Sequence, residues 1–484
     1  MKKKFTAFIL CIMLSVSFCF AGCGNKEVNY DIDGETDNVA DTTGSSVLAT
    51  NLGIPDSYEG KLSTGNSGLT SITIKDDKIV VPDGDSMSYV TCVKCEFNSD
   101  YKKRICEAIF DKDDGIYVYD YEHQLDSDLQ IQLDYYTGLL SSAASLDNEE
   151  WEEIYREQID EFELLMEDSV TELSAAGDYS TDSYIGYIDG KKFTLNFYEG
   201  NDEYGNKWAV FQLNYYPNED LINYKSYKDA EKVDYYTMYS YDDTVNIVEI
   251  TPDGEDITSI SKGENICSED MAEETAARLL GDIGIEDVAV SGSGTVEWAY
   301  TDAVGNSIYY ELDGYAMDFT RQVAGEEALK VWISKEETTT TGTNASTSVR
   351  MYQSFNEAYT VEVDSNGVIS LYADFVLNET DEEQNVELLS WDEVLKILDD
   401  GAGEYFAENK PDYSDVVFND VRLTYMLIQD SNDDDTYHYI PIWYFASEAS
   451  DEETDENAEL YPETVIIINA MDGTIYNLDD VFKM

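Results

Sequence analysis

The chemistry encoded most plainly in this chain is a lipid modification. Phe20-Ala21-Gly22-Cys23 closes an N-terminal apolar run and puts two small residues directly before a cysteine. That is a lipobox: the chain is cut before Cys23 and the freed cysteine is lipidated. Lys2, Lys3 and Lys4 supply the positive start, and Phe5 to Phe20 the apolar stretch. The stretch falls short of the ~20 apolar residues of a membrane span but suits a signal segment. A secretory cut after Ala21 would instead place bulky Cys19 three residues before the new terminus. Residues 1–22 are therefore expected to be a lipoprotein signal peptide and Cys23 the lipidation site. Two or three acyl chains would anchor the protein stably where one would not. The expected location is the extracytoplasmic face of the cell membrane.

The other candidates are weaker. Cys92-Val93-Lys94-Cys95 has the spacing of a redox or zinc knuckle. In an extended strand, however, the two cysteines point to opposite faces with Cα atoms ~10 Å apart, too far for a disulfide. Cys95 and Cys106 fall on inward faces of neighbouring elements and are expected close together, bridged or free, while Cys92 faces away. His123 and His438 are the two histidines, and neither sits beside a nucleophile motif. Asp111-Lys112-Asp113-Asp114-Gly115 resembles a calcium loop with Glu122 at its twelfth position. Its glycine comes one place early, where an oxygen ligand belongs. No GxGxxG follows a strand and no GxxxxGK motif occurs, so nucleotide cofactors have no support. No catalytic, cofactor or metal residue is expected.

Charge narrows the partners. The formal net charge is −73, and loss of three lysines with the leader takes it to −76. Nucleic acid is excluded as a partner because phosphates would be repelled. Basic peptides or divalent cations are what the charge would favour, against a plain solubilising surface. The 38 tyrosines and 43% hydrophobic content argue against wholesale disorder, and 484 residues exceed one core.

The elements that would position these residues read as α+β: several small units, each a helix packed on a twisted antiparallel sheet. Residues 23–53 read as a flexible tether of ~30 Å root-mean-square span, and 54–265 as an N-terminal α+β region. Residues 266–345 and 346–484 read as two units that repeat an α-β-β-β arrangement. In the first region strands are expected at 71–74, 78–81, 89–97, 116–119 and 129–133, with Tyr89, Thr91, Val93, Cys95 and Phe97 on one face. Asn98 or Ser99 caps a helix with Tyr101, Ile105, Cys106 and Ile109 inward. Asp147 to Ala176 carries the longest helical pattern, with an acidic outer face. Asp189-Gly190 suits a type I′ turn, with Phe193, Leu195 and Phe197 inward beyond it. Residues 208–216 and 245–250 read as further strands of the same sheet.

In the second half Ser268 caps a helix with Met271, Ala272, Ala276, Leu279 and Leu280 inward, stopped by Gly281. Strands follow at 296–300, 307–312 and 315–320. Ser390-Trp391-Asp392-Glu393 is a capping box, opening a helix with Val394, Ile397 and Leu398 inward. Its antiparallel sheet is expected from 421–428, 437–445, 464–469 and 474–476, with Trp443 and Phe445 towards the helix. Thr338 to Ser348 and Ser447 to Glu459 read as loops.

In order, Gly284-Ile285-Glu286-Asp287, Tyr315-Ala316-Met317-Asp318-Phe319-Thr320-Arg321 and Val363-Asp364-Ser365-Asn366-Gly367 are followed by Leu389-Ser390-Trp391-Asp392-Glu393. Leu423-Thr424-Tyr425-Met426, Ile440-Pro441-Ile442-Trp443-Tyr444-Phe445 and Ile467-Ile468-Asn469-Ala470-Met471-Asp472-Gly473 close the series. This succession resembles a family of uncharacterised lipoproteins of Gram-positive anaerobes. Its last unit also resembles PepSY-type domains and the YycH/YycI accessory proteins that restrain a cell-wall sensor kinase. The resemblance implies a non-enzymatic, protein-binding or regulatory module of the envelope and brings no catalytic residues. The alternative is a binding module for wall glycan or a small solute.

Overall fold

The computed structural model describes residues 46–145, 149–201, 207–215, 248–250, 256–258, 265–301, 307–330, 332–341, 344–353, 356–408, 414–430, 433–447 and 464–476. The leader, Cys23 and the acidic stretch beyond Ser447 lie outside them. A short helix, α1 (Val47–Leu52), comes first, with Ser46 accepting the Ala49 N–H and Gly53 closing it at φ +71°. Leu48 and Ala49 are buried in a core. The expected tether therefore ends before Ser46, because this apolar pair gives one helical turn something to bury.

Next come β1 (Tyr58–Leu62), β2 (Ser71–Asp76), β3 (Tyr89–Lys94), α2 (Ser99–Ile109), β4 (Tyr117–Val118), α3 (Asp126–Ser145) and α4 (Glu149–Met166). Strands β5 (Ser183–Ile188), β6 (Lys191–Asn201), β7 (Lys207–Tyr215), β8 (Val248–Ile250) and β9 (Asp256–Thr258) precede α5 (Glu269–Asp282). Beyond it lie β10 (Val288–Thr301), β11 (Ser307–Val323), β12 (Glu326–Glu327), β13 (Trp332–Thr341), β14 (Asn344–Gln353), β15 (Ala358–Asp364), β16 (Gly367–Asp374) and β17 (Leu377–Glu383). The described residues close with α6 (Trp391–Glu408), β18 (Asp415–Phe418), β19 (Asp420–Asp430), β20 (Asp433–Ser447), β21 (Thr464–Asn469) and β22 (Ile475–Tyr476).

The fold is mixed α+β, with two large open sheets. The nine-stranded sheet runs β10-β11-β15-β16-β7-β6-β5-β4, with β12 beside β11. The six-stranded sheet runs β17-β3-β20-β21-β22, with β19 also on β20. Ladders between named strands are antiparallel except β2 with β18, in a three-stranded sheet with β1.

Each large sheet buries one face under helices. Phe193, Leu195, Phe197, Phe319, Tyr359 and Val361 of the nine-stranded sheet share a core with Ile105, Cys106 and Ile109 of α2 and with Ala272, Ala276 and Leu280 of α5. Trp443, Phe445, Ile466 and Ile468 of the six-stranded sheet meet Val394 and Leu398 of α6. Trp391 lies 5.0 Å from Trp443, ring centre to ring centre. The opposite parity, Ile442, Tyr444, Val465 and Ile467, is also buried, in a third cluster. Local signals hold: Asn98 and Ser268 cap their helices, the Ser390 N–H donates to Glu393, and Asp189 and Gly190 both have positive φ, as a type I′ turn requires.

Several expectations are corrected. Leu129 to Leu133 is helix, not strand. Its alternation also fits Leu129, Leu133, Tyr136, Leu140 and Ala143 at steps of three and four, and the longer period wins. The next helix spans Glu149–Met166 rather than reaching Ala176. Met271 is 38% exposed, and α5 runs past Gly281 to Asp282, with Ile283 as its C-cap and Gly284 turning the chain at φ +79°. Residues 307–312 and 315–320 form one strand that passes through Gly314 at φ +131°. The run 78–81 makes a single bridge, Val80 with Arg422. Among the described residues, 248–250 pair with β9 in a two-stranded sheet apart from the large one. Of the loop expected from Thr338 to Ser348, residues 338–341 and 344–348 are paired strands of β13 and β14, as a run of β-branched threonines favours. Within β3 the buried side chains are Val90, Cys92 and Lys94, not Thr91 and Val93. Cys95 and Phe97 follow the strand and enter the other core.

Strands from residues 54–265 and from the second half share both large sheets: β3 lies between β17 and β20, and β7 pairs β16. The boundaries expected at 265/266 and 345/346 do not separate the sheets.

Candidate functional site

The cysteines divide as their spacing implies. Cys92 lies in the core beneath α6, whereas Cys95, Cys106 and Cys267 share the core beneath α2 and α5. All four are free and buried. Burial pushes the Cys92 thiol up to about 12 and those of Cys95 and Cys267 up to about 11. Protonated thiols in apolar surroundings are poor nucleophiles and poor metal ligands. Among the described residues no group of three or more His, Cys, Asp or Glu is placed to hold a metal ion. In the Asp111 loop, the Asp111 carboxylate accepts the Asp189 N–H at 2.9 Å, which ties it to the β5–β6 turn. His123 is exposed, and its hydrogen bond with Asp120 raises its pKa above the ordinary value.

His438 has company that the sequence did not reveal. Its Nδ1 lies 3.2 Å from Thr91 Oγ1 and its Nε2 3.1 Å from Asp430 Oδ2, while its ring stacks on Tyr89 at 5.0 Å. A hydroxyl, an imidazole and a carboxylate in series have the makings of a nucleophile relay. Acyl transfer also needs unengaged N–H groups aimed at an oxyanion. Here Thr91 pairs with Asp381 on one side and with His438 on the other, so the backbone around it serves the ladders. The arrangement is a clamp between β3 and β20. Asp430 and His438 lie eight residues apart on the β19–β20 hairpin, but Thr91 comes from the distant β3, and no local spacing brings it to them.

A second cluster joins the two large sheets. Glu357 is fully buried and pairs with Arg321 Nε. It also accepts from Tyr359 Oη and from the Leu377 N–H. Burial, then the neighbouring Glu357 charge, holds the Tyr359 phenol well above its ordinary range, so it remains a donor.

Two surfaces remain. On the nine-stranded sheet, the side turned from α2 and α5 is polar across adjacent strands: Asp318 opposes Thr360, Thr360 opposes Tyr372, Tyr372 opposes Gln212, and Gln212 opposes Asn196. The other surface is a helical arm. α3 and α4 pack principally on one another around their own cluster of Leu139, Ala143 and Tyr155, with Tyr135, Tyr136, Leu140 and Trp151. At 1.5 Å per residue, α3 is ~30 Å long. The base is held by the Asp126 N–H on Val170 O and the Val170 N–H on Gln124 O, both at 2.9 Å, and by Lys192 with Asp128 at 3.1 Å. The outer face of α4 forms an open depression lined by Glu149, Glu152, Glu153, Arg156, Glu157 and Asp160, and Leu164 is 48% exposed. Among the described residues no helix is long and apolar enough to cross a membrane.

No protein-family model matches the chain, and no curated protein matches it. Among solved structures, it is similar to the crystal structure of an uncharacterised protein from Eubacterium rectale ATCC 33656. The identity is 13%, the match covers 89% of this chain and 97% of that one, and the TM-score is 0.34. A likeness at that level carries no inference about fold or function.

Proposed function

We propose that the chain is a non-enzymatic protein, anchored by lipid at Cys23 to the extracytoplasmic face of the cell membrane, whose α3–α4 arm engages a protein partner of the envelope. The observation that carries this reading is the arm itself. It is held together by its own aromatic cluster, and it offers an acidic outer face with an exposed leucine at position 164. Such a face suits a basic segment of a partner, since complementary charge speeds encounter and suppresses wrong pairings. The net charge of −73 repels anionic lipid and wall polymer, so anchoring falls to the acyl chains. The resemblance to accessory proteins of a sensor kinase points the same way.

The test is cross-linking in intact membranes, comparing the wild type with a variant in which residues 127–169 are replaced by a short Gly-Ser link across the hydrogen-bonded base. The expected result is loss of the partner adduct from a protein that still melts cooperatively. An unchanged set of adducts would refute the reading. Cys23→Ala should meanwhile leave an unprocessed precursor without acyl label. A second reading, binding of a wall glycan or polar solute, rests on the row of amide, hydroxyl and carboxylate side chains across β11, β15, β16, β7 and β6.

A further inference from the structure

We propose that the polar side of the nine-stranded sheet carries an acid-strengthened latch, in which Asp318, Glu362 and Asp374 hold β11, β15 and β16 together most firmly when they bear protons. The three carboxyl groups surround Thr360. Asp318 is its cross-strand partner on β11, Glu362 lies two residues along β15, and Asp374 lies two residues beyond its β16 partner Tyr372. Cross-strand and diagonal neighbours on one face of a sheet lie within about 5–8 Å. Asp318 accepts from Thr360 Oγ1 at 2.5 Å and Glu362 from Ser370 Oγ at 2.7 Å. Both hydroxyls are neutral: their hydrogen bonds favour the charged carboxylates but bring no counter-charge.

Among the described residues, the charged or titratable groups facing this cluster are few. Lys330 acts on Asp318 and Asp374, Lys94 on Asp374, and the Tyr372 phenol stands beside Asp374, while Glu327 of β12 accepts from Thr320, two residues along β11 from Asp318. On the flanking strands the register places Gly292 opposite Asp318 and Gln212 opposite Tyr372, both uncharged. The charge acting on Glu362 is that of Asp318, of its own sign, and Asp364 lies two residues along the same side of β15. Burial raises all three carboxyl groups above their ordinary values, against the opposing pull of Thr360, Ser370 and the lysines.

The direction of the effect follows from linkage. A carboxyl group whose folded pKa exceeds its unfolded pKa binds its proton more tightly when folded. Its contribution is fully present below the unfolded value of about 4 and is lost as pH rises through the folded value. Asp178, Glu393 and Asp415 are held low by hydrogen bonds from serines and run in the opposite sense. They are common to wild type and variants, so they cancel in a comparison.

The experiment is thermal unfolding of the full chain from pH 4 to pH 8 for the wild type, Glu362→Gln and Asp318→Asn. Each amide keeps an acceptor for its serine or threonine but cannot ionise. The expected result is a higher Tm than wild type at pH 8, with the gap closing as pH falls towards 4. A gap that stays constant with pH, or a variant less stable throughout, overturns the proposal. Carbon-13 carboxyl titration of the wild type keeps it testable if a variant folds poorly. The Asp318, Glu362 and Asp374 carboxyl signals should titrate above the ordinary ~3.9 of aspartate and ~4.3 of glutamate, and their titrating at or below those values overturns the latch.

Discussion

Glu357 shows what a single residue does in this fold. A fully buried carboxylate is costly unless every lone pair is engaged, and here Arg321, Tyr359 and the Leu377 N–H engage it. Arg321→Met would leave the charge buried and unpaired, so it should destabilise the protein by about 3–5 kcal/mol in urea unfolding. Adding Glu357→Leu to that variant should recover much of the loss, because a packed apolar pair replaces an orphaned ion. The cysteines allow a separate check. With burial raising their thiols, Cys92 and Cys95 should resist iodoacetamide at pH 8 until the chain is unfolded. Rapid labelling of the native protein would contradict the two-core assignment. Spacing alone told Cys92 from Cys95, since a strand sends neighbours three apart to opposite sides. Nothing local marked Glu357 or the His438 clamp, because the partner that completes each, Arg321 for Glu357 and Thr91 for His438, comes from another strand.

At the scale of elements, what was legible had a long period or a chemically specific end. At α6 a chemically specific start is followed by several turns of pattern: the apolar face stands as read, and Glu393 reaches back to the Ser390 N–H as a capping box requires, while the Ser390 hydroxyl donates to the same carboxylate. Leu398 is fully buried against the six-stranded sheet, so Leu398→Ala should cost ~2–5 kcal/mol. Met271→Ala, on the exposed edge of α5, should stay within about 0.5 kcal/mol. Equal costs at the two positions would mean that the helix faces are wrongly assigned. Short alternating runs were the misleading ones. Leu129 to Leu133 satisfies a strand over five residues and a helix over twenty, and only the longer window separates them. Met271 fits the apolar stripe by type, yet the buried stripe of α5 runs through Ala272, Ala276, Leu279 and Leu280, and Met271 falls at its edge.

The whole molecule depends on pairings that no local pattern contains. Alternation tells which side of a strand is buried but not which strand lies beside it, so two repeated units in the second half were a natural reading of the order of elements. The sheets interleave instead. β3 supplies the strand between β17 and β20, β2 pairs in parallel with β18, and β7 continues the sheet from β16. The core beneath α5 is incomplete without α2 and the faces of β5 to β7. Residues 46–265 and 266–484 made as separate chains should therefore each lack a cooperative urea transition. In either piece the edge strands would be unpaired and half of each core exposed to water. Mixed together, they should regain a single transition and the near-ultraviolet circular dichroism of the intact chain. Reassembly should be slow, since long-range pairings must close before local packing rewards them. A 266–484 chain that unfolds cooperatively on its own, at the midpoint of the full protein, would show that the second half is a self-sufficient domain. The strands β2, β3 and β7 would then be additions to its sheets rather than parts of its cores.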